Sequence, residues 1–427
     1  MPTIAGHTSP GYQLRGLQAS LRFMTRLRQA VFVLHLTTGS VAGVVIFFLA
    51  GTGSILAWQR QVIAWQERGY RAAPPSAGIP ALPLDRLVAI ATSSAEAPPS
   101  SVTVRSDPAA PVDFELGRNR QLFLDRYSGA VLGPGATRTR TFFDDVTSLH
   151  RWFGAPVEHH TAARAVKGAF DLSLLFMIVT GAFLWAPCVW NWRRLRSGMI
   201  PLFRLKGRAR DWNRHNLIGF WIALPLTVIV LTGAVLAYGW ATNLLYLATG
   251  TPLNKAPKAA ERTQHRPHRH DGQPEAATAV DLQQILDSAE QKEPGWRSIR
   301  VPLQDPHAPT MAVFIDFLDG GRPDRQTQMV FDRTTGMIVR IDAFSSLSLG
   351  RQLRSFMKYI HTGEAGGVAG ETVAGLTSLS SCVLVWTGLS MAIRRFRAAR
   401  VAPRKDGVLV AKEGPVEVAR PTGVHST

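Results

Sequence analysis

Four apolar runs constrain this chain of 427 residues more than any other feature. They fall at 30–58, 166–190, 216–240 and 368–393. Each has about 20 residues or more, enough to cross a hydrocarbon core of roughly 30 Å as a helix. Trp58, Trp185, Trp190, Trp221 and Trp240 stand near the ends of these runs, where interfacial aromatics collect. One such run can be a buried core helix, but four together predict an α-helical membrane protein with four transmembrane helices in contact with the lipid bilayer. Arg15, Arg22, Arg26 and Arg28 precede the first run as a signal-peptide n-region would. The run is too long for an h-region and no small-x-small site ends it, so it reads as an uncleaved helix.

Charge orients the four. The chain carries 48 Lys and Arg against 30 Asp and Glu, a net +18 that would suggest nucleic acid in a soluble protein. Its distribution points elsewhere. Residues 1–30, 187–215 and 394–427 hold 20 of the basic residues and 4 of the acidic ones. Four spans put those segments on one side, and the positive-inside bias makes it the cytoplasm. The N-terminus (1–29), the basic loop (191–215) and the tail (394–427) are then cytoplasmic, and 59–165 and 241–367 lie outside; no nucleic-acid partner is expected. The two cysteines, Cys188 and Cys382, form no disulfide framework and read as small hydrophobes in or beside spans.

The halves repeat. His35, Gly39 and Thr52-Gly53 recur 180 residues later as His215, Gly219 and Thr232-Gly233. FLDRYSGAVL (123–132) recurs at a shift of 207 as VFDRTTGMIV (330–339), and Thr180-Gly181 as Thr387-Gly388. His150 in SLHRWFG answers His361 in YIHTGEAGG. A longer Pro-, Lys-, Arg- and His-rich linker at 251–275 accounts for the growing shift. Each half therefore reads span, exterior domain, span: a tandem parallel repeat about an axis along the membrane normal. Helical spacing at 84–95 and 280–291, followed by alternating strands at 102–105, 112–116, 121–125, 298–301, 311–317 and 328–332, makes each exterior domain a small α+β unit.

Histidines in or beside spans need partners. A lone one is ordinarily hydrogen-bonded to backbone, but His35 with His215 and His150 with His361 recur at matched positions, the first pair at the cytoplasmic end and the second on the exterior side. Facing imidazoles at equal depth can hold a haem iron axially, and a cofactor near each face makes an electron conduit. Zinc lacks third and fourth repeated ligands. A proton relay would use Asp171 and Glu371, although Lys167 and Asp171 also suit an i, i+4 ion pair. His159 and His160, unmatched in the second half, are alternative ligands to His150, since the first half has four more residues between its histidine and its Thr-Gly. His265, His268 and His270 read as solvated linker. No P-loop, GxGxxG, GxSxG or HExxH is present.

FLDRYSGAVLG, VFDRTTGMIVR, SLHRWFG, DWNRHNLIGFW, YIHTGEAGGVAG and VWTGLSMAIRR together resemble the PepSY-associated transmembrane helix family over about residues 25–398. The exterior units resemble PepSY domains. Relatives of this kind include bacterial inner-membrane haem proteins that reduce ferric siderophores in the periplasm. The resemblance implies an oxidoreductase with two haems b, ligated by His35, His215, His150 and His361. It also implies periplasmic exterior domains, a ferric siderophore or other ferric chelate as acceptor, and a cytoplasmic or membrane electron donor. Two rival readings are a haem-free transporter or permease subunit with a histidine proton relay, and a PepSY regulatory or binding module.

Overall fold

The computed structural model describes residues 10–72, 80–186, 199–200, 202, 204–253, 280–304, 308–318 and 320–401. Cys188, Trp190, His265, His268 and His270 lie outside them. Four helical stretches are long and apolar enough to cross a membrane: Arg22–Glu67, Thr137–Trp185, Gly207–Ala237 and Glu364–Ala398. Their membrane helices are α1 (Pro10–Leu56), α5 (His160–Trp185), α6 (Gly207–Ala237) and α10 (Gly367–Val401). These outrun the apolar limits read from sequence, and α6 takes in residues 207–215 of the expected cytoplasmic loop. Hydropathy marks only the apolar stretch, whereas Arg-, Gln- and Leu-rich flanks are good helix formers and prolong it.

The four helices close a ring in which α1 packs on α10, α10 on α6, α6 on α5 and α5 on α1. Val41 (80% exposed), Leu224 (77%) and Trp386 (69%) point outward, while Thr52, Thr180, Thr232, Thr377, Ser381 and Thr387 are buried within. Apolar outside and polar inside suits hydrocarbon surroundings. Small residues let the helices approach: a Cβ on Gly43 would lie 3.2 Å from Leu389, and one on Gly375 would lie 2.5 Å from the Trp58 ring.

Between α1 and α5, and again between α6 and α10, the chain leaves the bundle and returns. The first excursion holds α2 (Gln59–Glu67), α3 (Leu84–Ser94), β1 (Ser101–Arg105), β2 (Val112–Glu115), β3 (Gln121–Leu124), β4 (Val131–Gly133) and α4 (Thr137–Trp152). The second holds α7 (Gly239–Ala248), α8 (Leu282–Lys292), β5 (Ser298–Pro302), β6 (Thr310–Asp316), β7 (Gln326–Asp332), β8 (Ile338–Ala343) and α9 (Leu349–Thr362). The repeated DRxxG segments are the turns before β4 and β8. Asp125 Oδ1 accepts from the amides of Tyr127 and Ser128, Asp332 Oδ1 from those of Thr334 and Thr335, and Gly129 and Gly336 take φ of 74° and 70°. The Thr334 hydroxyl and the turn amides hold the Asp332 carboxyl down at about 2.

The expectation of two separate exterior domains is corrected here. All eight strands form one antiparallel sheet in the order β4-β3-β2-β1-β5-β6-β7-β8. Each unit alone would leave its first strand as a bare edge, and pairing β1 with β5 satisfies both. The seam pairs Val102 with Val301, Thr103 with Arg300 and Val104 with Ile299, so its register is symmetric about Thr103 and Arg300. One core runs beneath it, with Val102, Phe114, Leu124, Ile299, Val313 and Phe331 fully buried under α3 and α8. Those two helices anchor each other's N-termini. Asp85 accepts from the amides of Leu282 and Gln283 at 3.0 Å each, and Gln283 accepts from the Leu84 amide at 2.8 Å.

On the opposite face of the sheet lies Asp113, its side chain 10% exposed and 3.8 Å from Arg105. Burial pushes its carboxyl up to about 6, outweighing the pull of Arg105. The folded state therefore holds a proton that the unfolded state releases near pH 3.8, and stability falls as pH rises between the two values. Asp113→Asn should raise stability by about 3 kcal/mol at pH 8 and by almost nothing at pH 3.5, read from thermal midpoints of the detergent-solubilised protein.

Candidate functional site

Four histidines enter the bundle from four helices, and each meets a Thr-Gly pair on a neighbouring one. His35 on α1 reaches Thr180 on α5, with Nδ1 2.8 Å from Oγ1. His215 on α6 reaches α10, with Nδ1 3.0 Å from the Leu384 carbonyl and 3.1 Å from the Thr387 hydroxyl. His150, near the end of α4, places Nδ1 2.9 Å from Thr52 Oγ1 on α1. His361, near the end of α9, places Nδ1 2.8 Å from the Ile229 carbonyl and 3.3 Å from Thr232 Oγ1 on α6. The glycine after each threonine makes room for the ring. A Cβ there would lie 3.4 Å from Cε1 of His35 or His150 and 3.1 Å from Cε1 of His215 or His361.

These contacts fix the tautomer. A carbonyl can only accept, so Nδ1 of His215 and of His361 carries hydrogen. The same follows for the other two, because each threonine proton is already given to the carbonyl four residues back. Thr52 donates to Phe48 (2.9 Å), Thr180 to Phe176 (2.8 Å), Thr232 to Val228 (2.7 Å) and Thr387 to Val383 (2.9 Å). The threonine oxygen is thus left to accept from imidazole Nδ1–H, and Nε2 keeps a bare lone pair. An outer nitrogen pinned by a hydrogen bond is the usual arrangement behind a histidine that ligates a metal.

The four rings lie in two tiers. Seventeen residues separate His35 from Thr52 on α1, and seventeen separate His215 from Thr232 on α6, placing the tiers about 25 Å apart. His150 and His361 form the tier nearer the sheet, with ring centroids 6.5 Å apart. Two imidazoles sharing one ion at the usual metal–nitrogen distance of about 2.0–2.1 Å have centroids about 6.3 Å apart. His35 and His215 form the far tier, within electrostatic reach of each other. Among the described residues, no three His, Cys, Asp or Glu side chains converge. Such a pair suits a metal whose other four ligands come from a macrocycle better than a bare ion needing four protein ligands.

The remaining sequence candidates go elsewhere. His160 donates from Nε2 to the Ala155 carbonyl (3.1 Å) and stacks on Trp152, while His159 is exposed. Of the four extra residues of the first half, three lie in the connection between α4 and α5, residues 153–159 against 363–366 in the second half, and one lengthens α4 beyond its histidine. Asp171 is bonded to Lys167 at 2.7 Å. Glu371, 2% exposed, accepts from Gln61 and lies 3.5 Å from Arg60, which also pairs with Glu364. The partnership of each histidine with a Thr-Gly pair is not evident from the sequence, where the matching number, four of one and four of the other, is the available signal.

Residues 32–395 match the family described as the PepSY-associated TM region, and the chain belongs to that family. No curated protein matches the chain.

The threonines should differ in weight. Thr180→Val removes the hydroxyl that holds His35 and should cost about 1–3 kcal/mol. Thr387→Val leaves His215 the Leu384 carbonyl and should cost less than about 1 kcal/mol. Thermal midpoints of the two variants check the order.

Proposed function

We propose that this membrane protein is a di-haem electron conduit of the bacterial inner membrane. In this reading it passes electrons from a cytoplasmic or membrane donor to a periplasmic ferric chelate, most fittingly a ferric siderophore whose iron is released as Fe(II). His150 and His361 would hold one haem b, and His35 and His215 the other. The observation that carries the reading is the shared tautomer: four Nδ1–H groups are engaged, and four Nε2 lone pairs stand in two tiers. Bound haem would supply one-electron chemistry.

The chain's own residues do the rest. The threonines and carbonyls orient the imidazoles and keep Nε2 unprotonated, and the glycines keep side chains out of their way. Apolar bundle walls exclude water. With the tiers about 25 Å apart on one helix, no single jump has to cross the full hydrocarbon thickness of roughly 30 Å. The basic excess at the ends away from the sheet supports cytoplasmic termini and a periplasmic sheet. The symmetric seam and the matched His/Thr-Gly contacts support a tandem parallel repeat. A proton relay is less favoured, because Asp171 and Glu371 are held in ion pairs.

The visible spectrum tests this. Protein purified from haem-replete cells should show a Soret band, sharp α and β bands on reduction, and about two haems per chain. His150→Ala and His361→Ala should each lose one haem, and His35→Ala and His215→Ala the other. A folded, colourless protein sinks the proposal.

A further inference from the structure

One face of α5 carries a line of charge that the histidine tiers do not use. His160, Arg164, Lys167 and Asp171 follow at intervals of four, three and four residues, which puts them on a single side of the helix. At the outer end, the His160 ring lies parallel to Trp152, with centroids 4.1 Å apart and planes 5° apart. The Arg151 guanidinium covers the same indole at 4.4 Å. Arg151 and Arg164 are both exposed, and Arg164 is the charged group that bears on Arg151. Among the described residues, neither forms an ion pair with a carboxylate. Two neighbouring guanidiniums without a counter-ion attract an anion.

The line leads inward. Lys167, one turn deeper than Arg164, is buried, and its charge reaches both His150 and His361. Asp171 balances it from below at 2.7 Å. Seven residues of helix, about 11 Å, separate the stacked His160 from Lys167. The second half has no such line, since a shift of 207 puts Ala374 and Ser378 where the first half has Lys167 and Asp171. An anion approaching the near tier along α5 is drawn in by this charge.

We propose that Arg151 and Arg164 form a docking ramp for an anionic ferric chelate, one presenting carboxylate or catecholate oxygens, beside the His150–His361 tier. This rests on the conduit reading and narrows its acceptor to the anionic class. Planar guanidiniums pair bidentately with such oxygens, whereas a neutral hydroxamate chelate gains nothing from the charge.

Binding can be read apart from electron transfer by using redox-inert gallium(III) complexes. The full-length protein, in phosphatidylcholine nanodiscs, would be titrated with gallium tris-catecholate and with a neutral gallium tris-hydroxamate, following tryptophan fluorescence. The anionic complex should bind, weaken as salt is raised, and lose about tenfold or more in affinity in the Arg151→Gln/Arg164→Gln variant. The Arg151→Lys/Arg164→Lys variant should recover much of that loss. The neutral complex should bind no better to the parent than to the Gln variant.

Equal binding of the anionic complex to parent and Gln variant overturns the ramp. Unchanged chelate affinity with loss of Soret absorbance in the Gln variant overturns it in favour of an anchor for haem carboxylates. Unchanged chelate affinity with loss of anionic-lipid retention overturns it in favour of a headgroup site. A haem-free protein that still binds the anionic complex would sink the conduit and leave the ramp standing.

Discussion

The site depends on what four threonine hydroxyls do with their protons. A threonine inside an apolar helix gives its proton to its own backbone, which leaves its oxygen able only to accept. An imidazole lodged beside it must then offer Nδ1–H, and the opposite nitrogen is bare by consequence rather than by chance. An unpaired imidazole nitrogen would be costly among apolar helices; here one nitrogen of each ring is paired while the other stays available. The following glycine completes the device by letting the ring lie against the helix. The arrangement occurs four times, so helix spacing, bundle order and the arrival of α4 and α9 all have to serve it.

Much of this was legible in the chain. Apolar runs of membrane length, three basic segments and a duplicated set of histidines located the spans and picked out the four rings. The partnership between ring and threonine was not legible, because the contacts join residues 98, 129, 145 and 172 positions apart. The helices that deliver His150 and His361 were also missed. Residues 137–152 and 349–362 are too polar to look like parts of a membrane bundle, and β4 is only three residues long. His159 and His160 attracted attention as unmatched histidines, but the connection between α4 and α5 absorbs most of the extra residues and an indole takes one of the rings.

The seam between β1 and β5 was not legible either, since nothing within either strand names its partner. It couples the sheet to the histidine tier beneath it. His150 and His361 sit on helices that follow the last strand of each unit, so the two excursions cannot shift against one another without disturbing the seam. The 6.5 Å between those rings is thus held from above by a sheet and from below by a helical bundle. The Lys167–Asp171 pair, absent from the other half, breaks the equivalence of the two sides at that same level.

The seam register reads the same from either strand, centred on Thr103 and Arg300. A polypeptide carrying only the first half would therefore keep β1 as an open edge whose natural cover is β1 of a second copy, threonine against threonine. Two such halves would meet as a self-complementary pair, with the four rings drawn from both.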